Sequence, residues 1–345
     1  MPAPASPLSN YLDHGSPSEG KARSRIPSKE RCDVEEHGLR IIEKPTLRQP
    51  NMLCGIDGWV DGGEASTGTV AYLIRKLGAI KFAELPAARF HVFQIPGYNA
   101  SRPKIKSQDG LVLEHHFPTN EFFYWRNPHS ERDLVLLLGT EPNLHWEEYI
   151  ETLFGLAEEL GVRRIYLPGG VLDSTPHTRE PNVFCTVSLP PLKEEMANYA
   201  VQFSGYEGPG SLASSIVYLG GQRGLEVVSL TARATFYPEF SLSIPHNPKV
   251  IRALIKRLDA LLDLRLDISD LNLAAEELER KMTAATRQNP RFRSYLAALE
   301  KDYHEVDYLP PLGITEEEAL RLAEDLLRRS REQGTPPGEN DSESA

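Results

Sequence analysis

The stretch "DLVLLLGTEPNLHWEEYIETLFGLAEELGVRRIYL" (133–167) decides the fold. It opens with an almost unbroken apolar run ending at Gly139, the pattern of a strand covered on both faces. After a short polar link, Trp146, Tyr149, Ile150, Leu153, Phe154, Ala157 and Leu160 recur at helical spacing, and Gly161 ends the helix. "RRIYL" (163–167) then reads as a second strand. Strand, helix and strand in that order form a βαβ unit, which implies parallel strands joined by a right-handed crossover.

The same rhythm extends on both sides. Upstream, "NMLCGIDGWV" (51–60) reads as a buried strand, and Val70, Leu73, Ile74 and Leu77 share one face of a helix that stops at Gly78. "FHVFQI" (90–95), "GLVLEHHF" (110–117) and "EFFYW" (121–125) are rich in aromatic and β-branched residues, and predict a strand followed by a hairpin. Downstream, "NVFCTVS" (182–188) and "LEVVSLTARA" (225–234) predict strands, with helices in "LKEEMANYA" and "LASSIVYLGGQRG" between them. After Asn247 as a cap and Pro248 at the first helical position, only helices follow. Val250, Ile251, Leu254, Ile255, Leu258, Leu261 and Leu262 form a stripe expected to pack on the sheet body. Helical periods continue through 270–289 and 291–303, and 315–332 opens with a capping box from Thr315 to Glu318.

Residues 1–45 and 333–345 lack a sustained apolar period and are expected to be disordered tails. Between them the chain divides into an α/β body (46–265) and a helical extension (266–332). Composition narrows the function. With 40% hydrophobic and 25% charged residues the body has the makings of a core. A net charge of −11, with no basic cluster, opposes the phosphate attraction behind nucleic-acid binding. No window approaches the roughly 18 consecutive apolar residues of a membrane span. Cys32, Cys54 and Cys185 lie too far apart for a CxxC metal pair or a disulfide framework, which fits a reducing cytoplasm.

Three loops beyond strands carry the polar candidates. "GIDGWVDGGEASTG" (55–68) has the glycines of a phosphate cradle, but Asp57, Asp61 and Glu64 repel an anion and no Walker-type lysine follows. These acids are expected to cap the helix and favour its dipole, with hard-cation binding by Asp57 and Asp61 as the lesser alternative. "LPGGVLDSTPHTR" (167–179) places His177 near Arg179 and Asp173. That trio supports acid–base chemistry with an anion clamp, or else a turn in which Asp173, Ser174 and Thr175 bond locally and Arg179 meets a loop carboxylate. In "YEGPGS" (206–211), Tyr206 and Glu207 could anchor a substrate hydroxyl, whereas a turn with Ser211 as helix cap explains every residue except that pair. His115 and His116 are neighbours in a strand and point to opposite faces, so they cannot ligate a metal together. No nucleophile motif, metal cluster or cofactor fingerprint is present, and none of these groups is expected.

These motifs together resemble the PAC2 family, the proteasome assembly chaperone 2-like proteins, in its single-chain bacterial and archaeal form. The resemblance rests on "GWVDGG" (58–63), "FFYWRNPHSERDLVLLLGTEPNLHW" (122–146), "PHTR" (176–179), "YEGPGS" (206–211) and "ELERKMTAATRQNPRFRSYLAALEKDY" (277–303). It implies a three-layer α/β/α sandwich of the phosphorylase/hydrolase-like kind, with a mixed, mostly parallel sheet and a C-terminal helical extension. It also implies a protein-binding role, since eukaryotic relatives pair up and chaperone the proteasome α-ring. Those relatives dock through a C-terminal hydrophobic-Tyr-any tripeptide, whereas this chain ends in Glu343, Ser344 and Ala345.

Two functional readings follow. The first is a cytoplasmic, self-associating interaction protein that offers its strand-end loops to a protein partner, with Asp57, Trp59, Asp61, Glu64, Asp173, His177, Thr178, Arg179, Tyr206 and Glu207 as candidate interaction residues. The alternative is an enzyme or small-ligand binder of hydrolase, phosphorylase or carboxylate–amine ligase type, using the same loops around one pocket.

Overall fold

A computed structural model of the chain describes residues 34–36, 38–86, 89–94, 102–306 and 308. The strands are β1 (Val34–Glu36), β2 (Leu39–Ile41), β3 (Asn51–Asp57), β4 (Ile80–Pro86), β5 (Lys104–Gln108), β6 (Leu111–His116), β7 (Thr119–Trp125), β8 (Leu134–Thr140), β9 (Arg164–Asp173), β10 (Val183–Val187), β11 (Gln202–Phe203), β12 (Val227–Tyr237) and β13 (Leu242–Ser243). The α-helices are α1 (Ala65–Leu77), α2 (Trp146–Glu159), α3 (Pro190–Met196), α4 (Leu212–Gln222), α5 (Pro248–Leu262), α6 (Ser269–Thr286) and α7 (Pro290–Asp302).

One mixed sheet runs β1-β2-β4-β7-β8-β3-β9-β12-β10-β11. Its centre, β8-β3-β9-β12, is parallel throughout, and β7 and β10 join it antiparallel. β8 and β9 therefore belong to one parallel block, as their βαβ unit implies, with β3 inserted between them. The two faces of the sheet follow from the period of two. Leu53, Leu134, Leu136, Tyr166, Val228 and Leu230 face α1 and α5, whereas Met52, Cys54, Val135, Leu137, Ile165 and Leu167 face α2 and α4. Helices on both sides complete the expected three-layer sandwich. The stripe of α5 is the best-covered helix surface: Val250, Leu254, Ile255 and Leu258 have no exposed area. Asn247 caps it through a 3.0 Å bond from the Lys249 amide, and Pro248 stands in the first turn.

Several elements depart from the sequence reading. Residues 90–94 form no strand; the Phe90 carbonyl instead accepts from the Asn143 and Leu144 amides. The strand in this part of the sheet is β4, which the reading did not assign. β6 does not pair with β7 but with β5, in a separate two-stranded ribbon. Residues 39–41, expected within a tail, pair with β4 and bury Leu39. β9 runs on to Asp173 beside β12, so half of the presumed polar loop is strand. The helices α6 and α7 lie in the same compact unit as the sheet. The helix expected over 315–332 lies outside the described residues. Among the described residues no helix is long and apolar enough to cross a membrane.

Candidate functional site

The turn from β3 into α1 is built by its own acids. The Asp61 carboxylate accepts from the Ser66 amide at 2.7 Å, the Thr67 amide at 3.1 Å and the Thr67 hydroxyl at 2.6 Å. It thereby ties down amides of the first helical turn that have no partner within the helix. Burial pushes its carboxyl up to about 7, against the lowering effect of the Thr67 and Ser66 bonds. Gly63 in this turn has φ of 70°, and Glu64 at φ 55° bonds His246 through its carboxylate at 2.7 Å. The expectation that these acids serve the helix is what the geometry supports for Asp61.

The same turn leans on the end of β9. The Gly170 amide donates to the Val60 carbonyl at 2.7 Å, and a Cβ on Gly170 would stand 2.4 Å from the Gly62 carbonyl oxygen. That approach leaves Trp59, Val171 and Leu172 at the surface, 62%, 36% and 49% exposed.

Glu141, just beyond β8, joins this turn to the start of α4. Its amide donates to the Asp57 carbonyl at 2.8 Å, and its carboxylate accepts from the Trp59 amide at 2.8 Å and the Leu212 amide at 3.4 Å. Sequence reasoning passed over Glu141, although the first acid beyond a central parallel strand stands where such sheets gather their sites. In the "YEGPGS" loop, Ser211 caps α4 in a reciprocal pair with Ser214, as the turn reading expects. Tyr206 is 71% exposed and its hydroxyl donates to the Pro209 carbonyl at 3.3 Å; Glu207 is exposed.

The "PHTR" loop has a different setting. Asp173 pairs with Arg233 at 3.0 Å and takes the Ser174 amide at 2.7 Å. His177 is 1% exposed. Its amide donates to the Tyr237 hydroxyl at 2.8 Å, its Nδ1 lies 2.7 Å from that oxygen, and its Nε2 lies 3.3 Å from Thr283 Oγ1 on α6. Burial and the nearby Lys249 ammonium lower its pKa and keep the imidazole neutral. Lys249 is itself buried, donating to the His177 carbonyl at 2.6 Å and to Glu279 of α6 at 2.7 Å. Phe292 of α7 completes the cover, its ring 5.0 Å from Tyr237 and 4.9 Å from Phe240. Thr178 donates to the Glu300 carboxylate, and Arg179 stands 4.0 Å from Glu305. The loop is thus a seat for α6 and α7. Its partners Tyr237, Lys249, Thr283 and Phe292 were not legible as such, because they lie 60 or more residues away in sequence.

The structure therefore brings Asp57, Trp59, Asp61 and the start of α4 to one rim around Glu141, and turns His177 inward beneath the last helices. Two surface grooves, of 510 and 450 Å³, run across α2 and between β10 and α4; none of the expected residues lines either. Among the described residues no cluster of His, Cys, Asp and Glu is arranged to hold a metal ion.

The sequence profile of the PAC2 family matches residues 55–286. A PAC2 family protein from Streptomyces avermitilis is similar in structure, with 30% identity and a TM-score of 0.62 over 72% of this chain and 99% of its own. A proteasome-assembly chaperone homologue from Mycobacterium tuberculosis matches at 28% identity and a TM-score of 0.63, over 71% of this chain and 99% of its own. A Pyrococcus furiosus archaeal proteasome activator shares the fold at 24% identity and a TM-score of 0.57, covering 72% of this chain and 97% of its own. Among curated proteins no similar sequence is found.

Proposed function

The chain belongs to the PAC2 family, and we propose that it is an assembly-chaperone-type protein that associates with itself and binds a protein partner at the strand-end rim. The observation that carries this reading is the rim's surface. Trp59, 62% exposed, stands on the turn from β3 into α1, Leu172, 49% exposed, stands near the end of β9, the Gly170–Val60 backbone bond joins the two elements, and Tyr206, 71% exposed, lies in the loop that leads into α4. Aromatic and aliphatic side chains presented on a rigid support are what protein interfaces use as anchors. The polar groups that an enzyme would need are otherwise engaged: Asp61 holds a helix turn, and His177 is closed off beneath α7. The M. tuberculosis relative, by its name a proteasome-assembly chaperone homologue, supports the same class of role.

The test compares affinity purifications of the full chain and its W59A/L172S variant, quantified by mass spectrometry. A partner depleted at least tenfold in the variant is expected, with unchanged circular dichroism. Equal recovery from both proteins would refute the rim as the binding surface. Saturable thermal stabilisation by a nucleotide, phosphate or Mg²⁺ would favour a ligand-binding role instead, since a ligand bound only by the native state raises its stability.

A further inference from the structure

Leu271 and Ala275, the buried residues of α6, lie in its first half, so from Glu276 to Asp302 the one buried residue is Phe292. A helical strap that rests on so little apolar area opens at low cost, and its polar ties decide when. His177 stands at the centre of those ties, touching Tyr237 of β12, Lys249 of α5, Thr283 of α6 and Phe292 of α7. The hydrogen bonds admit one protonation pattern. The Tyr237 oxygen accepts the His177 amide, and among the described residues the phenol proton has one acceptor, Nδ1 at 2.7 Å. The phenol therefore donates to Nδ1, the ring proton sits on Nε2, and Nε2–H donates to Thr283 Oγ1 at 3.3 Å. A second ring proton, on Nδ1, would aim two donors at the Tyr237 oxygen and orphan the phenol proton in a buried seat.

We infer that His177 is a proton-operated latch: uptake of a second ring proton releases α6 beyond Ala275 together with α7, and uncovers the aromatic seat of Tyr237 and Phe240. The charges around the ring set the direction. Lys249 holds its ammonium on the His177 carbonyl at 2.6 Å, and two cations in one buried setting repel. The nearby carboxylates are engaged: Glu279 of α6 with Lys249 at 2.7 Å, Glu300 of α7 with the Thr178 hydroxyl, and Glu180 of the loop with Arg252 of α5. Burial raises Tyr237, which stays a neutral phenol. Glu279 and Glu300 draw the imidazole toward its charged form, but burial and Lys249 prevail and hold it below its ordinary 6.5. In the opened strap the ring returns to that ordinary value. Docking is therefore at full strength above pH 6.5 and weakens as pH falls toward the lower, docked-state value. Between the two values the opening equilibrium rises by up to about tenfold per pH unit.

Hydrogen exchange of the full chain at about pH 7.5 and 5.5, each amide corrected for its intrinsic rate, tests the latch. The companion variant is H177N, whose side-chain carbonyl keeps an acceptor for the Tyr237 hydroxyl but takes up no proton. In the unsubstituted chain the opening equilibrium of amides 276–302 should rise roughly three- to tenfold at the lower pH, with no loss of protection in β3 or β9. In H177N the ratio should stay near one, and H304N, altered just beyond α7, should respond as the unsubstituted chain does. Imidazole ¹⁵N shifts should show His177 neutral and protonated on Nε2 at about pH 7.5. This readout needs no variant, so the latch stays refutable if H177N loosens the strap at both pH values. A His177 ring that is charged at neutral pH, or protonated on Nδ1, would overturn the latch. So would a pH response of α6 and α7 that is absent, or that is equal in H177N.

Discussion

Replacing Phe292 by alanine is the sharpest probe of how the last helices are held. Phe292 is the one buried residue of α7, and its ring meets Tyr237, Phe240 and His177 edge-on or tilted. Phe→Ala in a packed core costs about 3–5 kcal/mol. Beside it, the half-buried Tyr295 ring meets Tyr237 at 6.1 Å and Phe240 at 5.6 Å, and polar ties such as the Tyr303 hydroxyl on the Glu180 carbonyl at 2.7 Å contribute about 0.5–1.5 kcal/mol each. The loss therefore falls on the docking of α7 and not on the sheet, whose two cores do not include Phe292. At about 1.4 kcal/mol per factor of ten, the opening equilibrium of α7 should rise by roughly 10² to several times 10³. Native-state hydrogen exchange reads this directly. Amides of 293–302 should exchange that much faster in F292A, with β3 and β9 unchanged and partial recovery in F292L. Protection of α7 within tenfold of the unsubstituted chain, or an equal loss across the sheet, would show that the aromatic seat does not hold the helix.

Two further outcomes concern the strand-end rim. Asp61 has a folded pKa of about 7, above its ordinary 3.8, so the stability it contributes is full below the lower value and is lost as pH rises through the upper one. Denaturant titrations between pH 4 and 8 should show this fall, with a slope of up to about 1.4 kcal/mol per pH unit, and D61N should flatten it. For the contact of the 58–64 turn with β9, G170A should lower Tm by roughly 3–10 °C, since its Cβ would meet the Gly62 carbonyl at 2.4 Å and overpacking costs about 1–3 kcal/mol. G155A, with nothing within 4 Å in a helix interior, should leave Tm unchanged or raise it, and a G170A protein as stable as G155A would contradict the close approach.

The central architecture was legible because its signals are local. β8, α2 and β9 each carry one unmixed period, and α5 announces itself through Asn247, Pro248 and a complete stripe. β4 was hidden by a register shift between Lys81 and Ala83 that breaks the period of two, and by Lys81 and Glu84 within it. The hairpin expected of 110–117 with 121–125 is instead one of β6 with β5, which precedes it. The stronger signal was Asp109-Gly110, both at positive φ, as a tight hairpin requires. At the site, Asp61 and Ser211 could be read as helix caps from a few neighbouring residues. The role of His177 could not, because burial by Phe292 and Thr283 is a property of the assembled chain, and a polar loop reads the same whether solvent or a helix covers it.

The ammonium of Lys249 bears on how this protein can be cut. Its counter-ion is Glu279, on the far side of the division that composition draws at residue 265. A fragment trimmed there would retain the cation in an oily wall and discard the group that neutralises it. Exposed besides would be the floor formed by His177 and Tyr237. Such a truncate should come out of cells sticky and poorly soluble, although every strand of the sandwich is still encoded in it.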